Sequence, residues 1–122
     1  LMKKAGTDKV VLIGYSGGAQ IAGLVAVRHP EQVKHLITIA GVLDHEAWTE
    51  YHHVPALKDS LNLKNYQKEL QAIPQTHFVG EKDENVPPKL VQDFTSGQNV
   101  VVVLKAKHNK GYDAEQIYEV GK

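Results

Sequence analysis

Three residues of this chain have the types and the order that nucleophilic acyl chemistry needs. Ser16 lies in Gly14-Tyr15-Ser16-Gly17-Gly18, directly after the apolar run Val10-Val11-Leu12-Ile13 and directly before a stretch of small residues. Gly-x-Ser-x-Gly between a strand and a helix is the sequence form of a nucleophile elbow, which exposes the serine hydroxyl at a helix N-terminus. Side chains at Gly14 and Gly18 are expected to crowd the neighbouring strand and helix, which is why glycine stands there. A serine hydroxyl is a poor nucleophile until a base takes its proton and a third group orients that base. His108 and Asp83 can fill those roles, because each follows a predicted strand in a loop.

Bringing these residues together takes a parallel sheet, since all its strand C-termini lie on one edge. The chain alternates strand and helix in the way such a sheet requires. Strands are expected over residues 9–14, 35–41, 76–80 and 99–106, in chain order across the sheet. The helix from Ser16 to about residue 29 is apolar nearly all round, so burial on most sides is expected, and Pro30 ends it. Residues 63–72 suggest a helix with Leu63, Tyr66, Leu70 and Ile73 on one stripe and Asn62 as its cap. Further helices are expected over 88–95, with proline in its first turn, and over 114–120. Between them, residues 42–60 break the pattern and form an irregular, lid-like insert carrying Trp48, Tyr51 and several histidines.

With the pattern in view, the chain resembles the C-terminal half of an α/β-hydrolase fold protein of the serine esterase or lipase kind. Gly14 to Gly18 resembles the elbow of that superfamily. Gly80-Glu81-Lys82-Asp83-Glu84-Asn85-Val86-Pro87 resembles its Gly-x-x-Asp-x-x-Val-Pro acid loop, and His108 stands where its histidine follows the last strand. The likeness spans essentially the whole chain. It implies Ser16 as nucleophile, His108 as general base and then acid, and Asp83 as the orienting acid. It also implies hydrolysis of an ester, thioester or amide through an acyl-enzyme, on a small-molecule acyl substrate and without cofactor or metal. In that family several strands and a loop precede the elbow, and the loop supplies a second oxyanion donor beside the one that the backbone N–H of Gly17 can serve as. The expectation is therefore a single incomplete α/β domain over 1–122, with its N-terminal half as missing partner, weak activity alone and an exposed apolar edge at the first strand. Leu1-Met2-Lys3-Lys4, neither a signal peptide nor a natural start, agrees with a beginning that lies elsewhere.

Each residue also has a plainer role. Ser16 could bind an anion at the helix start, Asp83 could cap the turn before Pro87, and His108 could be a solvated loop histidine among lysines. Asp44, after the second strand, would reach the same rim and is the alternative acid, with Glu84 behind it. The Asp44-His45-Glu46 and His52-His53 cluster invites a metal, but adjacent histidines point apart and a polar surface segment accounts for them. Two other functions stay open: a non-catalytic binding or scaffold member of the fold, or an acyltransferase on the same frame.

The bulk composition narrows the remaining classes. The 122 residues hold 14 basic and 14 acidic side chains, which gives no reason to expect a nucleic acid or anionic membrane partner. No window contains the roughly 20 apolar residues that a membrane span requires. The absence of cysteine excludes disulfides, thiolate metal sites and cysteine nucleophiles.

Overall fold

The structure is a computed structural model that describes residues 2–4, 9–55 and 62–121. Five strands form one sheet in chain order: β1 (Met2–Lys4), β2 (Val10–Tyr15), β3 (Val33–Ile39), β4 (Gln75–Gly80) and β5 (Val100–Val103). β2 to β5 are parallel and in the expected order. β1 was not expected. It pairs antiparallel with β2, Met2 opposite Leu12 and Lys4 opposite Val10, so along residues 10–12 the first parallel strand is not the bare edge foreseen. A short antiparallel strand satisfies the same backbone groups that another parallel strand would. Leu1 and residues 56–60 of the foreseen insert lie outside the described residues.

The strands are rich in valine and isoleucine because both faces are covered. Alternation then sorts their side chains. Leu12, Leu36 and Val79 join Ala19, Ala22 and Ala26 of α1 (Gly18–Arg28), Leu70 of α3 (Gln67–Leu70) and Val91 of α4 (Pro88–Thr95) in the larger core cluster. Val11, Ile37 and Phe78 point the other way and meet Ile117 of α5 (Ala114–Val120). Helices therefore cover both faces.

Three expectations need correction. α1 is not buried on most sides: Ala19, Ala22, Gly23 and Ala26 are buried, but Ile21 is 68% and Val25 37% exposed. Those two residues, four apart and hence on one stripe, line an apolar groove of about 320 Å³ with Leu12, Ile13 and Tyr15. The helix foreseen over 63–72 divides into a 3₁₀ turn, Leu63–Tyr66, and the single α turn of α3. Asn62 caps it as expected, accepting from Lys64 N–H, and Leu63, Leu70 and Ile73 are buried. It stops early because the Gln75 side chain donates to the carbonyls of Leu70 and Ile73 and draws the chain into β4. The last strand is shorter than 99–106, since Asn99 and Lys105 adopt left-handed backbone conformations (φ 60° and 63°) on either side of it.

After β3 the irregular stretch holds one helix, α2 (His45–Tyr51). Asp44 caps it by accepting from Ala47 N–H at 3.2 Å.

Candidate active site

Ser16 follows β2, Asp83 follows β4 and His108 follows β5, so all three stand at the C-terminal rim of the parallel sheet. They are connected. Ser16 Oγ lies 2.9 Å from His108 Nε2, and His108 Nδ1 lies 2.9 Å from Asp83 Oδ2. An ionised carboxylate can only accept, so Nδ1–H donates to Asp83 and Nε2 is left to accept from the serine hydroxyl. The Asp83 side chain is fully buried, while that of His108 retains 22% exposure. Burial of the carboxylate is matched by donors: Asn85 and Val86 N–H both donate to Asp83 Oδ1 at 2.8 Å. Asp83 thus caps its turn with one oxygen and holds the imidazole with the other, combining the two roles that the sequence left as alternatives.

The backbone of Ser16 is left-handed, φ 53°, a conformation that costs a residue with a Cβ about 1 kcal/mol. Its surroundings hold it there. Ser16 N–H donates to Ile39 O at 2.9 Å, and its carbonyl accepts from Ala19 N–H at 3.1 Å and Val42 N–H at 3.0 Å. Gly14 is needed for the reason expected: a Cβ there would lie 2.7 Å from Ala19 Cα and Gly18 O. Gly18 is not, because a Cβ at Gly18 would meet nothing within 4 Å. The turn is crowded on its strand side and open on its helix side. Gly17 lies at the start of α1, where helix N–H groups lack intrahelical partners and can serve an incoming oxygen.

Asp44 does not join this chain of bonds. Its carboxylate caps α2, accepts from Asn62 Nδ2 at 2.9 Å and lies 3.6 Å from Lys64 Nζ. Glu84 is exposed. Among the described residues no three histidines or carboxylates are grouped to hold a metal ion. His52 instead bonds through Nε2 to the carbonyl of Asn85, and Trp48 Nε1–H donates to the same carbonyl at 3.0 Å. α2 is therefore fastened to the loop that carries Asp83.

Two further tyrosines, Tyr15 and Tyr112, stand at the site without a role foreseen from the sequence. Tyr15 Oη–H donates to the backbone carbonyl of His108 at 2.7 Å, and its ring centroid lies 5.4 Å from the imidazole. Its place beside the serine was the one signal available. Tyr112 has a buried hydroxyl with no partner among the described residues. Burial, then the charge of Asp83 and then Tyr15 push its phenol up to about 12, so it stays neutral.

A cleft of about 590 Å³ opens beside Ser16 and Gly17. Ile21, Leu24, Val42 and Trp48 make it largely apolar, and His45 also lines it. Such a cleft next to a hydrogen-bonded hydroxyl and imidazole can hold an apolar group against a reacting oxygen. Of the two aromatic residues of the foreseen insert, Trp48 lines this cleft, whereas Tyr51 is exposed.

The family model described as the alpha/beta hydrolase fold matches residues 1–82. No curated protein matches the chain. Among solved structures, an esterase domain from Rhodothermus marinus aligns over 91% of this chain and 55% of its own length, with TM-score 0.65 and 20% identity. An alpha-beta serine hydrolase homologue from Coxiella burnetii aligns over 80% of this chain and 40% of its own, with TM-score 0.56 and 26% identity. A puromycin-hydrolyzing peptidase from Mycobacterium tuberculosis aligns over 90% of this chain and 20% of its own, with TM-score 0.67 and 15% identity. The chain thus spans about half the length of the esterase domain, and its structural relatives include esterases and peptidases. With the four parallel strands and the matched segment together, the chain belongs to the alpha/beta hydrolase fold family.

Proposed function

We propose that this chain carries the reacting centre of a serine hydrolase that cleaves a carboxylic ester or related acyl compound through an acyl-enzyme. The observation that carries this reading is the continuous bonding from Ser16 Oγ through His108 to Asp83, with the serine on a left-handed turn at the mouth of an apolar cleft. Ser16 Oγ attacks the substrate carbonyl while His108 Nε2 takes its proton. Asp83 keeps Nδ1–H in place and stabilises the imidazolium. The tetrahedral oxyanion receives the N–H of Gly17, a contribution of about 3 kcal/mol for a well-placed donor. Collapse breaks the bond to the leaving alcohol, which takes the proton from His108. A water molecule, deprotonated by the same imidazole, then releases the acid and restores Ser16.

A fluorophosphonate probe tests the nucleophile directly. It is expected to label the protein at Ser16, and Ser16→Ala is expected to abolish both labelling and ester turnover. Labelling that survives in Ser16→Ala overturns the assignment. For the acid, Asp83→Asn is expected to lower turnover about 10⁴-fold, as loss of the orienting carboxylate does elsewhere. Asp44→Asn should leave turnover within a few-fold, and the opposite ranking would make Asp44 the acid.

A further inference from the structure

The cleft draws most of its lining from two helices. Gln20, Ile21 and Leu24 belong to α1, and Trp48 and Thr49 belong to α2. The bonds that join the two run through a side chain that is not part of the lining. Asn62 is 2% exposed. Its Nδ2–H donates to Asp44 Oδ1 at 2.9 Å. Its Oδ1 accepts from His45 N–H and Lys64 N–H, each at 3.3 Å, and from Gln20 Nε2–H at 3.4 Å. The 3₁₀ turn that Asn62 caps is itself seated on α1. Buried Leu63 packs so closely there that a Cβ at Gly23 would run into its side chain, and Leu63 N–H donates to Gln20 Oε1 at 2.9 Å. So α1 carries the turn, and the turn carries the start of α2 through one buried carboxamide.

A buried carboxamide bonded to three elements holds them at fixed separations, because shifting one leaves a desolvated donor or acceptor without its partner. We propose that Asn62 is a positioning residue that sets the width of the cleft from behind its lining. It thereby sets the length of the apolar group that fits beside Ser16. Asn62 touches no substrate. It acts through Asp44 and His45 on Trp48 and Thr49, which stand one turn further along α2. The carboxylate of Asp44, held away from His108, is then the other half of this brace. Reaction of the enclosed group rests on the function proposed above, but the brace does not.

The test reverses the central bond. Asn62→Asp is nearly isosteric but sets a second carboxylate against Asp44, and like charges this close repel. The double variant Asn62→Asp, Asp44→Asn restores one donor and one acceptor with their direction exchanged, and Asp44→Asn keeps a side chain able to cap α2. The readout is kcat/KM for straight-chain esters, lengthened on the acyl side in one series and on the alcohol side in another. In one series the native protein is expected to fall off beyond a certain length. Asn62→Asp lets α2 part from α1, so the ratio of the next longer ester to the shorter one should rise about tenfold. Labelling by a small fluorophosphonate should stay within a few-fold, and the double variant should bring the native ratio back. Should Asn62→Asp not fold, Asn62→Ser, which can still accept from Lys64 N–H but releases Asp44, reads the same change. A second readout avoids turnover. Trp48 is the chain's single tryptophan and lines the cleft, so its fluorescence in Ser16→Ala protein reports the binding of straight-chain alcohols. The longest alcohol that binds should lengthen with Asn62→Asp and shorten again in the double variant. A length profile unchanged by Asn62→Asp, or not brought back by the double variant, overturns the proposal. If no ester is hydrolysed but the fluorescence cut-off still moves, the Ser16 reading fails and the Asn62 brace stands. Hydrolysis with an unmoved cut-off removes the brace alone.

Discussion

In the reaction proposed above the base is His108, and a base on a loop is only as well placed as the contacts that hold it. Asp83 orients its ring from one side, and Tyr15 fixes its backbone from the other through the bond to its carbonyl. Tyr15→Phe removes that bond while leaving the ring against the imidazole. Loss of one such bond is worth about 1 kcal/mol, so kcat is expected to fall about fivefold, with KM nearly constant. A rise in KM at constant kcat would show that Tyr15 touches substrate and does not position the base. The same scale shows what the sequence could reveal. Ser16 announced itself through its glycine neighbours, and Asp83 and His108 through the strands before them. Tyr15 did not, because its contact with the His108 carbonyl spans 93 residues.

At the scale of elements, β3 and β4 share a polar seam inside an apolar sheet. His77 is fully buried, accepts from Thr38 Oγ1–H at Nδ1 (2.7 Å) and donates from Nε2 to Gln75 Oε1 (2.8 Å). Both bonds suit the neutral ring. Burial, followed by the nearby His35, lowers its pKa to about 4 from the ordinary 6.5. The unfolded chain therefore binds the proton more readily between these values, and stability is complete above about pH 6.5 and falls as the pH drops toward 4. Roughly 2 kcal/mol should be lost by about pH 5. Urea unfolding at neutral pH and at about pH 5 measures it, and His77→Gln should remove most of the difference; an equal loss in the variant would assign it to other groups. The strands were legible because β-branched runs between turns leave few other readings. Where the helix over 63–72 fails, local pattern lost to Gln75, whose side chain competes for the helix's last carbonyls.

Taken whole, the molecule has a buried apolar cluster on each face of its sheet but leaves the Ile21 and Val25 stripe beside β2 uncovered among the described residues. Exposed apolar grooves of this kind take up hydrophobic dyes. An anilinonaphthalene sulfonate probe is expected to brighten with this chain and to lose most of that signal in the Ile21→Lys, Val25→Lys double variant, with the unfolding midpoint little changed. Undiminished dye signal would place the apolar surface elsewhere. No composition or periodicity could reveal this groove, since Ile21 and Val25 look like core residues in any helical projection. A different consequence follows from the way α2 is fastened. Val42, at its approach, is bonded to the carbonyl of Ser16, while Trp48 and His52 grip the carbonyl of Asn85 beside Asp83. The cleft wall and both ends of the hydrogen-bonded relay are thus parts of one body. Swinging α2 outward to admit a bulkier guest would slacken the relay in the same motion, so in the proposed reaction the size of the substrate is set by what this cleft encloses at rest.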